Sequence, residues 1–214
     1  MVQKMFIVNE NKLRVGLFLC ALFLLNNVNA SEKYIELPFR AYTNTGEKIE
    51  VLEFFWYGCS HCYEFESAIE EWLEDKAEYI EFVRMPAVLG ASWMLYARGY
   101  YVAKHLGVFD KIHRPLFDAI HKEKRSFTDK KSLKKYFEEQ GVSGDEFDTT
   151  YDSKDVQDSV RYAYSMGQRY GVKGVPAVII NGKYATSATM AGSYKNMIDV
   201  IKKLAEKENV ATLK

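Results

Sequence analysis

One short segment constrains the fold of this chain more than any other: an apolar, strand-like run leads directly into two cysteines that open a helix. Residues 51–56 are strongly apolar and β-prone, a pattern typical of a buried strand. After a two-residue turn come Cys59 and Cys62, and apolar residues then recur at helical spacing through Leu73. We therefore expect Cys59 at a strand-to-helix turn, beside the amino end of the helix.

That position favours reactive cysteine chemistry. Unpaired N–H groups and the macrodipole at a helix amino end stabilise negative charge. A cysteine placed there has a lowered pKa, and the thiolate is the reactive form. Cys62 lies one helical turn later, within reach of Cys59, and His61 between them can add positive charge or a hydrogen bond. The segment predicts a nucleophilic cysteine followed by a resolving one.

Two other interpretations of the cysteine pair are weaker. A purely stabilising disulfide that closes so short a loop contributes only about 2 kcal/mol, against roughly 3 kcal/mol for fifteen residues. A structural zinc site needs four ligands, and His105, His113 and His121 recur at eight-residue intervals without the i, i+4 pairing that presents two imidazoles together. We therefore expect no metal. No flavin or nicotinamide motif is present either, so no cofactor is predicted.

Glu53 is a carboxylate inside the apolar strand, and two interpretations stay open. It can lie on a solvated face of the strand. Alternatively, because buried acids are costly and are usually paired or protonated, it is a buried proton acceptor beneath Cys62.

The amino-terminal thirty residues have the pattern of a secretory signal peptide. Lys12 and Arg14 precede an apolar run from 15 to 25, and small residues follow up to Ala30. The run is shorter than the roughly 20 apolar residues of a membrane-spanning helix. We expect cleavage after Ala30, with an uncleaved anchor as the alternative, and Cys20 would leave with the signal.

The predicted export and the net charge of the chain limit the classes of function that it can have. The two cysteines that remain are Cys59 and Cys62, and an exported protein lives where disulfides persist, so they are expected to pair. The formal net charge of the whole chain is zero, which gives no electrostatic argument for nucleic acid as a partner.

Two motifs carry a family resemblance. Residues 53–66, Glu-Phe-Phe-Trp-Tyr-Gly-Cys-Ser-His-Cys-Tyr-Glu-Phe-Glu, resemble the active-site segment of periplasmic DsbA proteins. Farther along, residues 174–177 (Gly-Val-Pro-Ala) and 181–184 (Asn-Gly-Lys-Tyr) match the same family in the same order. The resemblance covers essentially the whole mature chain and implies a thioredoxin fold with an inserted all-helical domain, an α/β fold class.

The resemblance also implies functional detail. It makes Pro176 a cis proline that faces the cysteines, with Val175 exposing a backbone edge to which an extended substrate can pair. Ser60 stands where DsbA proteins often carry proline, so the strength of oxidation, but not the reaction class, is left open. The implied partners are reduced, unfolded exported proteins and a DsbB-like membrane quinone reductase, and we expect a monomer in the periplasm.

The domain organisation follows from the element pattern. After the signal peptide (1–30), residues 31–88 and 172–214 form the predicted thioredoxin-like domain, and 89–171 form the helical insertion. The first part contains a strand at 50–56, a helix at about 59–77 and a strand at about 79–85. The second contains a hairpin over 178–186, with Asn-Gly at its turn, and a closing helix over 193–207.

Residues typical of helix starts and ends divide the predicted insertion into several helices. Gly107 and Gly141 are expected to follow helix ends, and Thr128 is expected to cap the helix that ends near Gln140. Ser143 and Glu146 have capping-box spacing. Pro115 predicts a late start or a kink in the helix around it, and a last helix is expected over about 153–170.

The sequence thus predicts a dithiol oxidase that donates a Cys59–Cys62 disulfide to client proteins. A disulfide reductase or isomerase is the nearest alternative within the enzymes. A non-catalytic, peptide-binding chaperone is the alternative from another class.

Overall fold

A computed structural model describes residues 32–212 of the chain. Five strands form one sheet in the order β1-β5-β4-β2-β3. Strands β2 and β3 pair in parallel, and the other neighbours are antiparallel. The bounds are β1 Ile35–Glu36, β2 Ile49–Phe55, β3 Ile80–Pro86, β4 Ala177–Ile180 and β5 Tyr184–Ser187. The predicted strands are therefore confirmed to within a residue or two, while the short β1 was not predicted.

Eight helices lie within residues 32–212. Their bounds are α1 Ser60–Glu74, α2 Ala91–His105, α3 Phe109–His121, α4 Lys130–Glu139, α5 Gly144–Tyr151, α6 Lys154–Arg169, α7 Ala188–Ala191 and α8 Tyr194–Thr212. The fold is α/β, and α2 to α6 all fall between β3 and β4 in the chain, as expected of a helical insertion.

The β4–β5 turn has the predicted Asn-Gly chemistry. Asn181 and Gly182 both have positive φ, 52° and 62°, and Lys183 N donates to the carbonyl of Ile180 at 3.0 Å. Gly182 is also required sterically, because a Cβ there would collide with the backbone of Ala41. This hairpin places β4 beside β2, with Val178 opposite Glu53.

The predicted cap of α4 is wrong, and of the two alternatives predicted at Pro115 the late helix start is wrong. Asp129, not Thr128, caps α4: its side chain accepts from Ser132 N, and Ser132 reaches back to the Asp129 N–H in a capping box. Pro115 does not delay its helix, because α3 begins six residues earlier and continues through it. By contrast, the capping box of Ser143 and Glu146 is confirmed.

The core lies on both faces of the sheet. On one face α1 and α8 pack against residues such as Val51 and Ile180, and on the other α6 packs against Leu52, Phe54 and Ile179. Another cluster joins Phe55, Tyr57 and Cys62 to the helices between β3 and β4, so the end of β2 and the first turn of α1 rest on those helices. The sheet and the inserted segment therefore jointly hold the cysteine motif in place.

Some sequence predictions lie outside these observations. The signal peptide over 1–30, with cleavage after Ala30 and loss of Cys20, lies outside the described residues. The division into 31–88 with 172–214 and 89–171 stays a prediction. Over residues 32–212, each helix is too short or too polar to cross a bilayer.

Candidate active site

Cys59 is the residue that starts helix α1. Its backbone is extended (φ −90°, ψ 115°), its carbonyl accepts from Tyr63 N at 3.0 Å, and its sulfur accepts from Cys62 N at 3.3 Å. Helix starts are usually capped by Ser, Thr, Asp or Asn oxygens. Here a cysteine sulfur takes that role, so the orphan N–H groups of the helix converge on it.

The two sulfurs have opposite electrostatic environments. A hydrogen bond from the Cys62 thiol, together with the backbone N–H groups of Cys62 and His61, lowers the pKa of Cys59 to about 6 against the opposing effect of burial. Burial raises the pKa of Cys62, and its hydrogen bond to Cys59 raises it further. Cys62 is completely buried, whereas Cys59 is partly exposed. Both are free thiols in this structure, and Cys59 is the more accessible of the two and the one whose thiolate form is favoured.

His61 and Ser60 lie at the mouth of the site. Ser60 is the first residue of α1 and is exposed. His61 Nδ1 is 3.1 Å from the hydroxyl of Tyr194, and that hydroxyl donates to Glu64 Oε2 at 2.9 Å. Because the single hydroxyl proton goes to Glu64, His61 Nδ1 is the donor to Tyr194. The start of α8 therefore orients the His61 ring.

The loop before β4 faces the cysteines. Cys59 Sγ lies 3.5 Å from the carbonyl oxygen of Val175, and the Val175–Pro176 bond is cis, as the resemblance implies. A groove of about 740 Å³ runs beside this loop. Its largely apolar walls include His61, Tyr170, Val175, Pro176, Met190 and Tyr194.

Glu53 lies in the interior, so the solvated-face interpretation is wrong. Its side chain is 0% exposed, and its Oε2 is 3.4 Å from Arg84 Nε, the residue opposite it on β3. Arg84 also donates to Glu66 Oε2 at 3.0 Å. Burial and the charge of Glu66 raise the pKa of Glu53 to about 8, which Arg84 only partly offsets. Glu53 is therefore a neutral acid near neutral pH.

Two histidines of α3 hold the turn before the cysteines. The buried hydroxyl of Tyr57 contacts His113 Nδ1 at 2.8 Å, and the carbonyl of Tyr57 accepts from His121 Nε2 at 2.7 Å. The other nitrogen of His113 is 3.4 Å from Glu66 Oε1. Their eight-residue spacing puts both rings on the face of α3 that meets the turn, whereas His105 is exposed. Among residues 32–212, no set of three or more His, Cys, Asp or Glu side chains is arranged to hold a metal ion.

An aromatic pair closes the other side of the turn. The indole rings of Trp56 and Trp93 stack with centroids 4.3 Å apart and an interplanar angle of 12°. Gly58 lies against the Trp56 ring, where any Cβ would overlap it. The glycine before Cys59 is thus required by close packing.

Of the residues predicted for the site, Ser60, His61, Val175 and Pro176 lie around Cys59, and Glu53 lies in the interior on β2. Sequence reasoning missed Glu66, Arg84, His113 and Tyr194. One signal for Glu66 was available, because it follows Cys62 by four residues and so interrupts the apolar face of α1 with a carboxylate.

Known proteins resemble this chain over most of its length. The family model for a DSBA-like thioredoxin domain matches residues 76–202, a range that begins after the cysteine motif. A thiol:disulfide interchange protein DsbA from Pseudomonas syringae pv. tomato is 35% identical over 184 residues, 86% of each chain. The corresponding protein of Pseudomonas aeruginosa is 33% identical over 189 residues, 88% of this chain and 90% of that one.

Solved structures agree with the sequence relatives. The crystal structure of Pseudomonas aeruginosa DsbA superposes with a TM-score of 0.81 at 33% identity, covering 86% of this chain and 95% of that chain. The oxidoreductase DsbA from Xylella fastidiosa gives a TM-score of 0.77 at 28% identity, covering 83% and 96%. The mixed sheet with inserted helices is the arrangement that these structures share.

Proposed function

The chain belongs to the DsbA family and is a thiol-disulfide oxidoreductase, and from that premise we propose that Cys59 and Cys62 form the disulfide that it donates to reduced client proteins. The observation that carries the proposal is the difference between the two sulfurs: Cys59 is accessible and stabilised as an anion, whereas Cys62 is buried and strongly favours its proton.

The reaction proceeds in two exchange steps. A client thiolate attacks the sulfur of Cys59, which breaks the Cys59–Cys62 bond and leaves a mixed disulfide, with Cys62 released as a thiolate that takes up a proton. A second client thiolate then attacks the client sulfur of the mixed disulfide, and Cys59 leaves as a thiolate. The client loses two electrons and gains a disulfide, while the pair gains those electrons.

The lowered pKa of Cys59 supplies the driving force. A leaving thiolate of lower pKa departs faster, and a reduced form that holds its thiolate comfortably makes the disulfide the stronger oxidant. The contacts at the start of α1 act in the reduced state, since they need an anionic sulfur as acceptor. Cys59 is therefore both the sulfur that the client attacks and the last one to leave.

We assign Glu53 to the proton that Cys62 requires. Because its carboxyl is buried and neutral near pH 7, it can hand a proton toward the buried sulfur as the disulfide opens and accept one as it closes. Electrostatic coupling between Glu53 and both cysteines supports this role. His61 and Ser60 complete the site from the solvent side.

Clients are proposed to bind along the groove beside Val175 and Pro176. An extended, incompletely folded segment can pair with the backbone there and place its apolar side chains against Met190 and Tyr194. The predicted signal peptide places this activity in the periplasm, with newly exported proteins as clients. A DsbB-like membrane quinone reductase would then re-oxidise the pair, because this chain carries no electron acceptor motif of its own.

The deciding experiment follows the oxidation of a reduced, unfolded model protein by the oxidised wild type and by Cys59→Ser. We expect rapid disulfide formation with the wild type and none above background with the variant. If Cys59→Ser still helped the client to fold, the protein would be a peptide-binding chaperone. Mass spectrometry of the exported protein tests the localisation, because cleavage after Ala30 leaves Ser31 as the first residue.

Thermal unfolding of the two redox forms separates an oxidase from a reductase. The stabilised Cys59 thiolate is present only in the reduced form, so that form should melt at the higher temperature. A higher melting temperature for the disulfide form would instead support the reductase alternative.

A further inference from the structure

A row of buried polar side chains runs from Glu53 on β2 to the turn that precedes Cys59. In order, its members are Glu53, Arg84, Glu66, His113 and Tyr57, which we call the buried row. Successive members contact at 3.4 Å, 3.0 Å, 3.4 Å and 2.8 Å. The mechanism above uses only Glu53, which leaves the far end of the row, on α3 and the turn before Cys59, without a role.

Charge balance limits the protonation states of the buried row. It contains two carboxyls, one guanidinium and one imidazole, in an interior where an unpaired charge is costly. Arg84 balances one carboxylate, so one of the two carboxyls keeps a proton. The identity of the protonated carboxyl decides where this proton lies. It lies beside the cysteines if Glu53 keeps it, and one helical turn after Cys62 if Glu66 keeps it.

The contacts favour Glu66 as the ionised carboxyl. Arg84 Nη2 donates to Glu66 at 3.0 Å, whereas its Nε is 3.4 Å from Glu53 and lacks hydrogen-bond geometry. Neither Glu53 oxygen accepts a hydrogen bond from the described residues. On its other side Glu66 Oε1 lies 3.4 Å from His113 Nε2, outside hydrogen-bond geometry, and that nitrogen presents an N–H to the carboxylate only when it carries the ring proton.

The contact with Tyr57 bears on which nitrogen of His113 carries the ring proton. Its buried hydroxyl lies 2.8 Å from His113 Nδ1 and has no other acceptor as close among the described side-chain contacts. If the hydroxyl donates to Nδ1, the neutral ring carries its proton on Nε2, toward Glu66. The aromatic rings of Phe55, Phe109 and Phe117 enclose the imidazole and disfavour its charged form.

We propose that His113 is a positioning residue for the redox reaction: held in one tautomer by Tyr57, it directs the single shared proton of the two buried carboxyls onto Glu53. This inference rests on the proposed roles of the cysteines and Glu53, and it extends them to a residue about which the cysteine motif gives no information. The titratable and charged groups that face His113 are Tyr57, Glu66, Arg84, Tyr100 and Arg114.

The electrostatic directions agree with the geometry. Burial lowers the pKa of His113, so its ring is neutral near pH 7. Burial alone would raise the pKa of Glu66, but the facing His113 ring and the charge of Arg84, whose Nη2 donates to Glu66, reverse this and lower it. The pKa of Glu53, which lacks such a donor, is raised.

Two substitutions of His113 distinguish the roles of its two ring nitrogens. The amide nitrogen of glutamine lies where Nε2 lies in histidine, so His113→Gln keeps a donor toward Glu66. The shorter His113→Asn places its amide at the Nδ1 position and leaves Glu66 without that donor. The matched control is His105→Gln, because His105 is exposed and outside the buried row.

The readout is the carboxyl carbon resonance of Glu53 and of Glu66 in reduced protein labelled with ¹³C-glutamate, assigned with Glu53→Gln and Glu66→Gln. Near pH 7 the wild type, His113→Gln and His105→Gln should show Glu53 protonated and Glu66 ionised. In His113→Asn both signals should move in opposite directions, as the proton redistributes to Glu66. Client oxidation near pH 7 should fall several-fold in this variant alone.

A second variant keeps the test decisive if His113→Asn does not fold. Tyr57→Phe removes one hydroxyl and with it the tautomer preference, so the same opposite movement of the two signals is expected. Unchanged signals in every folded variant of the two would overturn the proposal, even with wild-type oxidase activity. The proposed function fails on a separate result, retention of client oxidation by Cys59→Ser, on which these signals do not depend.

Discussion

The backbone N–H of Cys62 donates to the sulfur of Cys59 across 3.3 Å, so the first turn of α1 closes on the sulfur that reacts. A helix cap normally contributes stability through a permanent oxygen acceptor. Here the acceptor is a redox group, and its strength depends on whether the sulfur is an anion. The contribution of this cap to the free energy of unfolding therefore depends on the redox and protonation state of the Cys59 sulfur.

The first prediction concerns the hydrogen bond from the Cys62 side chain, the largest contribution that lowers the pKa of Cys59. Cys62→Ala removes the donor, so the pKa of Cys59 should rise above about 6, toward the ordinary value of 9.0, by roughly one unit or more. Cys62→Ser keeps a hydroxyl donor and should stay closer to the wild type. The measurement is the pH dependence of the alkylation rate of Cys59, the single cysteine of either mature variant. Identical inflection points for alanine and serine would contradict this origin of the low pKa.

A second prediction concerns the pH dependence of stability in the reduced protein. The pKa of Cys59 is lowered from 9.0 to about 6, so its contribution is present above pH 9 and is lost as the pH falls through about 6. The pKa of Glu53 is raised from 4.5 to about 8, so its contribution is present below pH 4.5 and is lost as the pH rises through about 8. Between pH 6.5 and 8 the two effects have opposite sign, and the wild type should show little change in the free energy of unfolding.

Single substitutions should expose each effect in urea titrations at pH 6.5 and 8. Glu53→Gln leaves Cys59 alone, so stability should rise with pH, and Cys59→Ser leaves Glu53 alone, so stability should fall. Each slope should stay below about 1.4 kcal/mol per pH unit, because each group exchanges at most one proton, and that of Cys59 is smaller still because this sulfur is partly exposed. Slopes of the same sign in the two variants would refute one of the two assignments.

Local patterns predicted most of the fold because the signals were strong and short in range. The apolar run of β2, the Asn181-Gly182 turn and the glycines after α2 and α4 each determine structure within a few residues. The cap of α4 was placed one residue early, since Thr128 and Asp129 are both good caps and only the reciprocal contact of Ser132 distinguishes them. The late helix start at Pro115 was wrong because the chain tolerates this proline inside a helix whose apolar face packs on the core.

The cysteine motif was predictable from the sequence, but the contacts among the buried side chains around it were not. Glu53 and Arg84 meet only because β2 and β3 pair in one particular register, and a single sequence does not state that register. His113 reaches Glu66 through the packing of α3 on α1, between residues nearly fifty positions apart. Contacts of this kind depend on tertiary geometry, and no local periodicity encodes them.

A third prediction tests the proposed client groove. Met190 lines the groove beside Pro176, so Met190→Asp introduces a charge where apolar client side chains would bind. Oxidation of an unfolded protein should slow several-fold, while oxidation of a small dithiol, which needs no groove, should be unchanged. Met94→Asp is the matched control, because Met94 is exposed and lies in a different depression. Equal slowing of both substrates would place the effect at the cysteines and not in the groove.

The last prediction concerns the glycine that precedes the reactive sulfur. A Cβ on Gly58 would lie within 2.7 Å of Cε2 of Trp56, whose ring is held by its stack on Trp93. Gly58→Ala should therefore lower the free energy of unfolding by about 1–3 kcal/mol through overpacking. The clash requires the indole, so the alanine should cost much less in a Trp56→Leu background, and urea titration of the four proteins measures that coupling. Gly174→Ala serves as the control, since a Cβ there meets no atom within 4 Å. An equal cost of Gly58→Ala with and without Trp56 would mean that backbone conformation, and not the aromatic stack, requires glycine at this position.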